Sequence, residues 1–267
     1  MKLTGEIEKL GHLGRGDHVC WLVDDAETYA ESAATILAGA HALRQKPVAF
    51  GPEGSPALMQ LEPMAAIAAD PYVKFLDRGP FVPETMLVMF REQSALARAE
   101  GYDGLRLVAD MDWLLSGQPT IDAIIGFELL LDRVVAELGA TVVCAYRRSS
   151  FDTDALVGAL AVHPVACPDD SPQFRFVNGD GQSWQLSGEL DLAVAPMFAA
   201  AFRAAATQSP CVVDISRLAF IDVAGMRTIA EAGRETHGVQ LRGASSTVRR
   251  VWQMTGFDEF APMVQLV

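Results

Sequence analysis

No stretch of this 267-residue chain approaches the roughly 18 uncharged apolar residues that a spanning helix needs, and the opening Met1-Lys2-Leu3-Thr4-Gly5-Glu6 lacks a signal-peptide apolar core. A soluble cytoplasmic protein with no membrane contact is the expectation. Positive charge is scarce too: 21 Lys and Arg stand against 34 Asp and Glu, a formal net charge of -13. That balance argues against nucleic-acid affinity built on counterion release, and the Arg249-Arg250 pair makes no basic surface. The four cysteines, Cys20, Cys144, Cys167 and Cys211, contain no CxxC, so neither a disulfide framework nor a zinc knuckle is expected. No serine has a G-x-S-x-G context and no Ser-His-Asp triad can be read, so no catalytic residue is assigned.

What the chain has is alternation. Its length suits two compact domains, each with a core of its own. His18 to Val23 reads as a buried strand, and Ala26 to Arg44, apolar at Tyr29, Ala33, Ile36, Leu37 and Ala40, as an amphipathic helix. The strand Pro47-Val48-Ala49-Phe50, a helical Ala57 to Ala69, the apolar run Tyr72-Val73-Lys74-Phe75-Leu76 and a helix opened by Pro83 follow. Next come the strand Leu105 to Asp110, a helix Ile121 to Leu138, the strand Thr141 to Tyr146 and a helical Asp152 to Val162. Apolar strands separated by amphipathic helices imply a largely parallel sheet covered on both faces. Turn formers and charge at Cys167-Pro168-Asp169-Asp170-Ser171-Pro172 break the pattern, which places the domains at 1–168 and 174–267. The second, smaller unit reads as two short strands from Phe174, a helix Ala193 to Ala206, a strand at Cys211, a helix entered through Asp222, a strand at Val239 and a helix Thr247 to Met254. Phe198 and Phe202 flank Ala199-Ala200-Ala201 at helical spacing, which favours helix over disorder there.

In the first unit His18 and Cys20 are two apart and so share one side of their strand. With Cys144, Tyr146 and His163 they can line a pocket for a small molecule or a soft metal; a buried cysteine beside a satisfied core histidine accounts for the same residues, and no metal is assigned. Asp24, Asp25, Asp110 and Asp112 follow strands and raise a second metal reading, with helix capping as the plain alternative; Trp21 and Trp113 flank such a crevice or belong to the core. Where a phosphate loop would carry GxxxxGK[ST], the chain has Asp24-Asp25-Ala26-Glu27-Thr28, whose carboxylates repel a triphosphate. Gly51-Pro52-Glu53-Gly54-Ser55 lacks the lysine, so ATP hydrolysis is not expected.

In the second unit Asp222 can cap a helix whose free N–H groups offer a docking point; Gly225 would allow close approach and Met226 an adaptable contact. Core packing of Met226 is the plain alternative. Trp184-Gln185-Leu186-Ser187-Gly188-Glu189-Leu190-Asp191 and Cys211 to Met226 closely resemble the STAS domain of bacterial anti-sigma factor antagonists, with its "sGelD" turn and "vDlsgvtfiDssGl" segment. The resemblance implies a partner surface at Gly188, Glu189, Asp191, Asp222, Val223, Ala224, Gly225 and Met226. It implies an anti-sigma factor or histidine-kinase-like serine kinase as partner, and Val223 stands where the family has its phosphorylated Ser or Thr.

Gly16-Asp17-His18-Val19-Cys20, Asp110-Met111-Asp112-Trp113, Cys144-Ala145-Tyr146-Arg147-Arg148-Ser149-Ser150-Phe151-Asp152 and His163-Pro164 resemble the MEDS domain. That sensory family implies a fold akin to the RecA and KaiC-type ATPases. With that sensory role, the residues read above, His18, Cys20, Trp21, Asp110, Asp112, Trp113, Cys144, Tyr146 and His163, become the candidate positions for a sensed small molecule, with the cofactor unknown. The combined expectation is an α/β protein in which a sensor adjusts an anti-sigma factor antagonist. A degenerate nucleotide-binding module using STAS as scaffold, and a structural subunit of a stress-signalling assembly or homo-oligomer, are the alternatives.

Overall fold

A computed structural model describes residues 5–7, 10–62, 65–69, 81–167, 171–179, 183–206, 211–235 and 238–267. The run 72–76 lies outside the described residues. The first sheet has seven parallel strands: β1 (Gly5–Glu6), β2 (His18–Val23), β3 (Gln45–Gly51), β4 (Ala66–Ala69), β5 (Gly104–Asp110), β6 (Thr141–Arg147) and β7 (Val165–Cys167). Their order is β1-β7-β2-β6-β5-β3-β4. Parallel neighbours need crossovers, and the helices supply them.

On one face lies α1 (Ala26–Ala38), whose Tyr29, Ala33, Ile36 and Leu37 meet Val19, Trp21 and Val23 of β2. On the other lie α3 (Pro83–Ala99), α4 (Ile121–Leu138) and α5 (Thr153–Val162), packed against Cys20, Leu22, Val142, Cys144 and Tyr146. Both faces are therefore covered, as the unbroken apolar strands require. One expected element divides. Instead of a single helix from Ala57 to Ala69, α2 (Pro56–Met59) is one turn, and Ala66–Ala69 pairs in parallel with Val48 to Gly51 as β4. Pro63, lying between them, cannot donate to a helix, and the free edge of β3 offers the later alanines a ladder.

The second sheet holds β8 (Phe174–Asn178), β9 (Ser183–Leu190), β10 (Cys211–Ile221), β11 (Val239–Arg242) and β12 (Val264–Leu266) in the order β12-β11-β10-β9-β8. Only β8 and β9 run antiparallel. Its helices are α6 (Ala195–Ala206), α7 (Val223–Arg234), α8 (Ser246–Met254) and the short α9 (Phe257–Phe260).

The two units share a core. Helix α4 is apolar on more than one side: Ile124, Phe127 and Leu131 belong to the first sheet's core, while Ile125 and Leu129 join Phe174, Phe176, Phe198 and Phe202 of the second unit. Ala161 and Val162 at the end of α5 join the same cluster. The alanines of α6 serve this contact, since small side chains let two helices approach closely.

Candidate functional site

Four buried side chains from four elements converge behind β2. His18 opens β2, Cys144 stands in the middle of β6, Glu128 projects from α4 and His163 is the residue that ends α5. Glu128 Oε2 lies 3.3 Å from His18 Nε2, 3.4 Å from His163 Nε2 and 3.5 Å from Cys144 Sγ, and Cys144 Sγ is 3.5 Å from His18 Nε2. The hydroxyl of Tyr146 donates to Glu128 Oε1 at 2.5 Å. Asp132, one turn along α4, stands 3.7 Å from His18 Nδ1. Burial opposes charge on Glu128, but His163 and His18 beside it hold its carboxyl below the usual range. Burial alone would lower His18; Asp132 and Glu128 bring it above its ordinary value, while burial and the neighbouring His18 depress His163. Burial, reinforced by the Glu128 charge, pushes the Cys144 thiol and the Tyr146 hydroxyl far up. Cys20 is fully buried on the same side of β2, paired in register with Cys144.

A separate crevice of ≈ 470 Å³ opens at the carboxyl ends of the strands, where ligands of open α/β sheets bind. Ala26 and Glu27 at the start of α1, Pro52 and Ser55 after β3, Asp110 and Asp112 after β5, and Arg147 after β6 line it. Arg147 donates to Asp112 Oδ2 at 2.6 Å and to Asp110 Oδ2 at 3.4 Å, and Ser150 Oγ donates to Asp112 Oδ2 at 3.1 Å. The reading of Asp24, Asp25, Asp110 and Asp112 as one metal set is therefore corrected. A guanidinium neutralises the second pair, Asp24 pairs with Arg148 at 3.4 Å, and Asp25 caps α1 by accepting from Thr28 N. Trp21 and Trp113 do not flank the crevice. They are core residues in different clusters, Trp21 stacked on Tyr29 and Trp113 packed edge-on to Phe50 and Phe127.

At the start of α7 the Asp222 carboxylate joins the first turn of the helix to the loop after β9: Oδ1 accepts from Gly225 N at 2.8 Å and Oδ2 from Leu192 N at 3.0 Å. Asp191 Oδ1 likewise accepts from Ala193 N at 2.9 Å and Val194 N at 3.3 Å. Val223, the first residue of the helix, is 44% exposed, and Leu192 and Phe220 are exposed as well. Glu189 is exposed and Ala224 half-buried. Gly225 and Met226 leave the expected partner surface: Met226 is core, and a Cβ on Gly225 would come within 2.8 Å of Leu190 Cγ. The approach that Gly225 permits is to the chain's own β9. Gly188 is not in a turn but within β9 opposite Phe174, at φ +86, with Gln173 O where a side chain would sit.

A family model described as MEDS, the methanogen/methylotroph DcmR sensory domain, matches residues 17–164. The chain belongs to the MEDS family. A second model, described as Mlab, STAS domain, matches residues 178–266, so the MEDS domain is followed by a STAS domain. The comparison with curated proteins found no match. Within the MEDS domain, His18, Cys144, Tyr146 and His163 come together and Asp110 and Asp112 stand apart from them in the crevice. Glu128, Asp132 and Arg147 were missed. The signal for the first two was two carboxylates at i and i+4 inside the largely apolar Ile124 to Val135, a spacing that aligns them on one side of a helix.

Proposed function

We propose that this protein is a cytoplasmic signalling regulator in which the MEDS domain senses a small molecule and adjusts the STAS domain's binding to an anti-sigma factor or related histidine-kinase-like serine kinase. As an anti-sigma factor antagonist it acts by association, without catalysis. We read the division as 1–168 for the sensor and 174–267 for the STAS domain.

The observation that carries this reading is the exposed entry of α7. Val223 presents an apolar side chain there, and a groove of ≈ 360 Å³ lined by Leu192, Pro196, Ala199, Ala224 and Arg227 runs beside it. A partner docking on Glu189, Asp191, Asp222, Val223 and Ala224 meets no group that a kinase can phosphorylate at the helix entry. The crevice at Asp110, Asp112 and Arg147 suits the sensed ligand, because Asp112 Oδ1 and Arg147 Nε are buried there without a hydrogen-bond partner. The nucleotide-binding alternative is disfavoured, since only Asp24 and Asp25 separate β2 from α1 and no loop is left to wrap a phosphate. Affinity capture with the immobilised STAS surface tests the function: a histidine-kinase-like ATPase retained by the protein and lost with Val223→Glu supports it, and equal retention by both sinks it.

A further inference from the structure

The bonding around Glu128 is wrong for an ordinary buried ion pair. Charge-assisted N–H···O contacts close to about 2.7–2.9 Å, yet both imidazoles stop at 3.3 and 3.4 Å from Glu128 Oε2, while the Tyr146 hydroxyl reaches Oε1 of the same carboxylate at 2.5 Å. The carboxylate is thus not held away from its neighbours by packing. His163 sharpens the point. Its Nδ1 lies 2.7 Å from the carbonyl oxygen of Ala159, and a carbonyl only accepts, so Nδ1 carries the proton. In the neutral ring Nε2 is then a bare lone pair, fully buried, without a hydrogen bond and facing a carboxylate oxygen. Two lone pairs facing each other in a dry interior repel unless a cation lies between them.

The spacings are those around a metal ion. With metal–nitrogen and metal–oxygen bonds of about 2.0–2.1 Å and metal–sulfur of about 2.3 Å, a tetrahedron has edges of about 3.4 Å between nitrogen and oxygen and about 3.6 Å to sulfur. Four of the six edges match, at 3.3 and 3.4 Å for nitrogen to oxygen, 3.5 Å for sulfur to oxygen and 3.5 Å for sulfur to nitrogen, and all four ligand atoms lie within 4.8 Å of one another. Outer partners of the kind that metal-bound ligands use are present as well: the Ala159 carbonyl accepts from His163 Nδ1 and the Tyr146 hydroxyl donates to the other oxygen of Glu128, while Asp132 stands 3.7 Å from His18 Nδ1.

We propose that His18 Nε2, Glu128 Oε2, Cys144 Sγ and His163 Nε2 bind one tetrahedral transition-metal dication of the zinc type. Thiolate plus carboxylate balance the dication, so the complex is neutral, as its burial demands. Binding displaces the thiol proton of Cys144 and the proton on His18 Nε2. With all four ligands closed around it, the ion is structural, loaded as the chain folds, and no position is left for substrate. It ties β2, β6, α4 and the end of α5 together. The STAS domain sits on those same two helices, and Arg175 of β8 donates to the backbone oxygen of His163 at 2.8 Å. The site stands independently of the partner reading above.

The test uses the full chain produced in medium supplemented with zinc or with cobalt. Elemental analysis should find one metal per chain after desalting. The cobalt form should show the visible bands of a tetrahedral site and a near-ultraviolet thiolate-to-cobalt charge transfer, lost in Cys144→Ser and retained in Cys211→Ala. If Cys144→Ser does not fold, Glu128→Gln preserves shape and should weaken cobalt binding at least tenfold. A metal-free chain under both conditions, or a cobalt spectrum without the thiolate band, overturns the proposal, as does binding undiminished in Cys144→Ser or Glu128→Gln.

Discussion

The guanidinium of Arg133 lies over the indole of Trp184, 4.2 Å from the ring centroid, and joins the sensory helix α4 to strand β9 of the STAS sheet. Arg133 Nε also donates to Asn178 Oδ1 at 3.4 Å, and Arg203 of α6 reaches Asp122 at the start of α4 at 2.8 Å. These polar contacts surround the apolar contact of Ile125 and Leu129 with the STAS core, so neither unit is packed as an isolated body.

The shared core predicts that the two domains unfold together. Leu129 is fully buried between them, and its truncation to Ala should cost about 2–5 kcal/mol through lost burial and a residual cavity. Urea unfolding followed separately by MEDS and STAS fluorescence probes should move as one transition, in the wild type and in Leu129→Ala. Two separated midpoints would contradict a common core.

Arg133→Ala should weaken communication more than folding. A cation–π contact at a partly exposed site is worth about 0.5–1 kcal/mol, so the midpoint should shift only slightly. Any ligand-induced change in partner affinity should shrink, because α4 would no longer be tied to Trp184. An undiminished response, measured by titration with and without ligand, would place the coupling elsewhere.

Val223→Glu should fold normally and bind its partner at least tenfold less well. A carboxylate at the first helical position is favoured by the helix dipole, which protects the fold, while the new charge occupies the proposed docking surface. The wild-type chain incubated with ATP and the proposed kinase partner should keep its intact mass. A stoichiometric phosphate in the STAS domain would show that covalent switching survives at another residue.

Arg147→Met should make stability more sensitive to pH. Burial, and then the neighbouring Asp112, raise the Asp110 pKa above its ordinary value, and Arg147 opposes them. For a carboxyl raised in the folded state, its stability contribution is fully present below the unfolded value and is lost as pH rises through the folded one. Removing Arg147 raises the folded value further, so the variant should match the wild type near pH 4 and fall progressively below it toward neutrality. A pH-independent difference in melting temperature would mean that Arg147 acts through packing alone.

The helix over Ile121 to Leu138, the strands from His18, Leu105 and Thr141, and the helix entered through Asp222 were all legible in the sequence, because each is long enough for its apolar period to be read. Strands β1, β4, β7 and β12 were not: two to four residues carry no period, and their pairing depends on whether a sheet edge is free. The same division holds for the sites. His18, Cys144 and His163 were visible as chemistry, but they are brought to Glu128 by a helix that crosses the sheet, and no local pattern records a crossing. Asp222, Gly225 and Met226 show the converse. Sequence identified the helix entry, but whether each side chain faces a partner or the chain's own core was decided by the close packing of α7 against Leu190, a contact between residues 35 positions apart for Gly225.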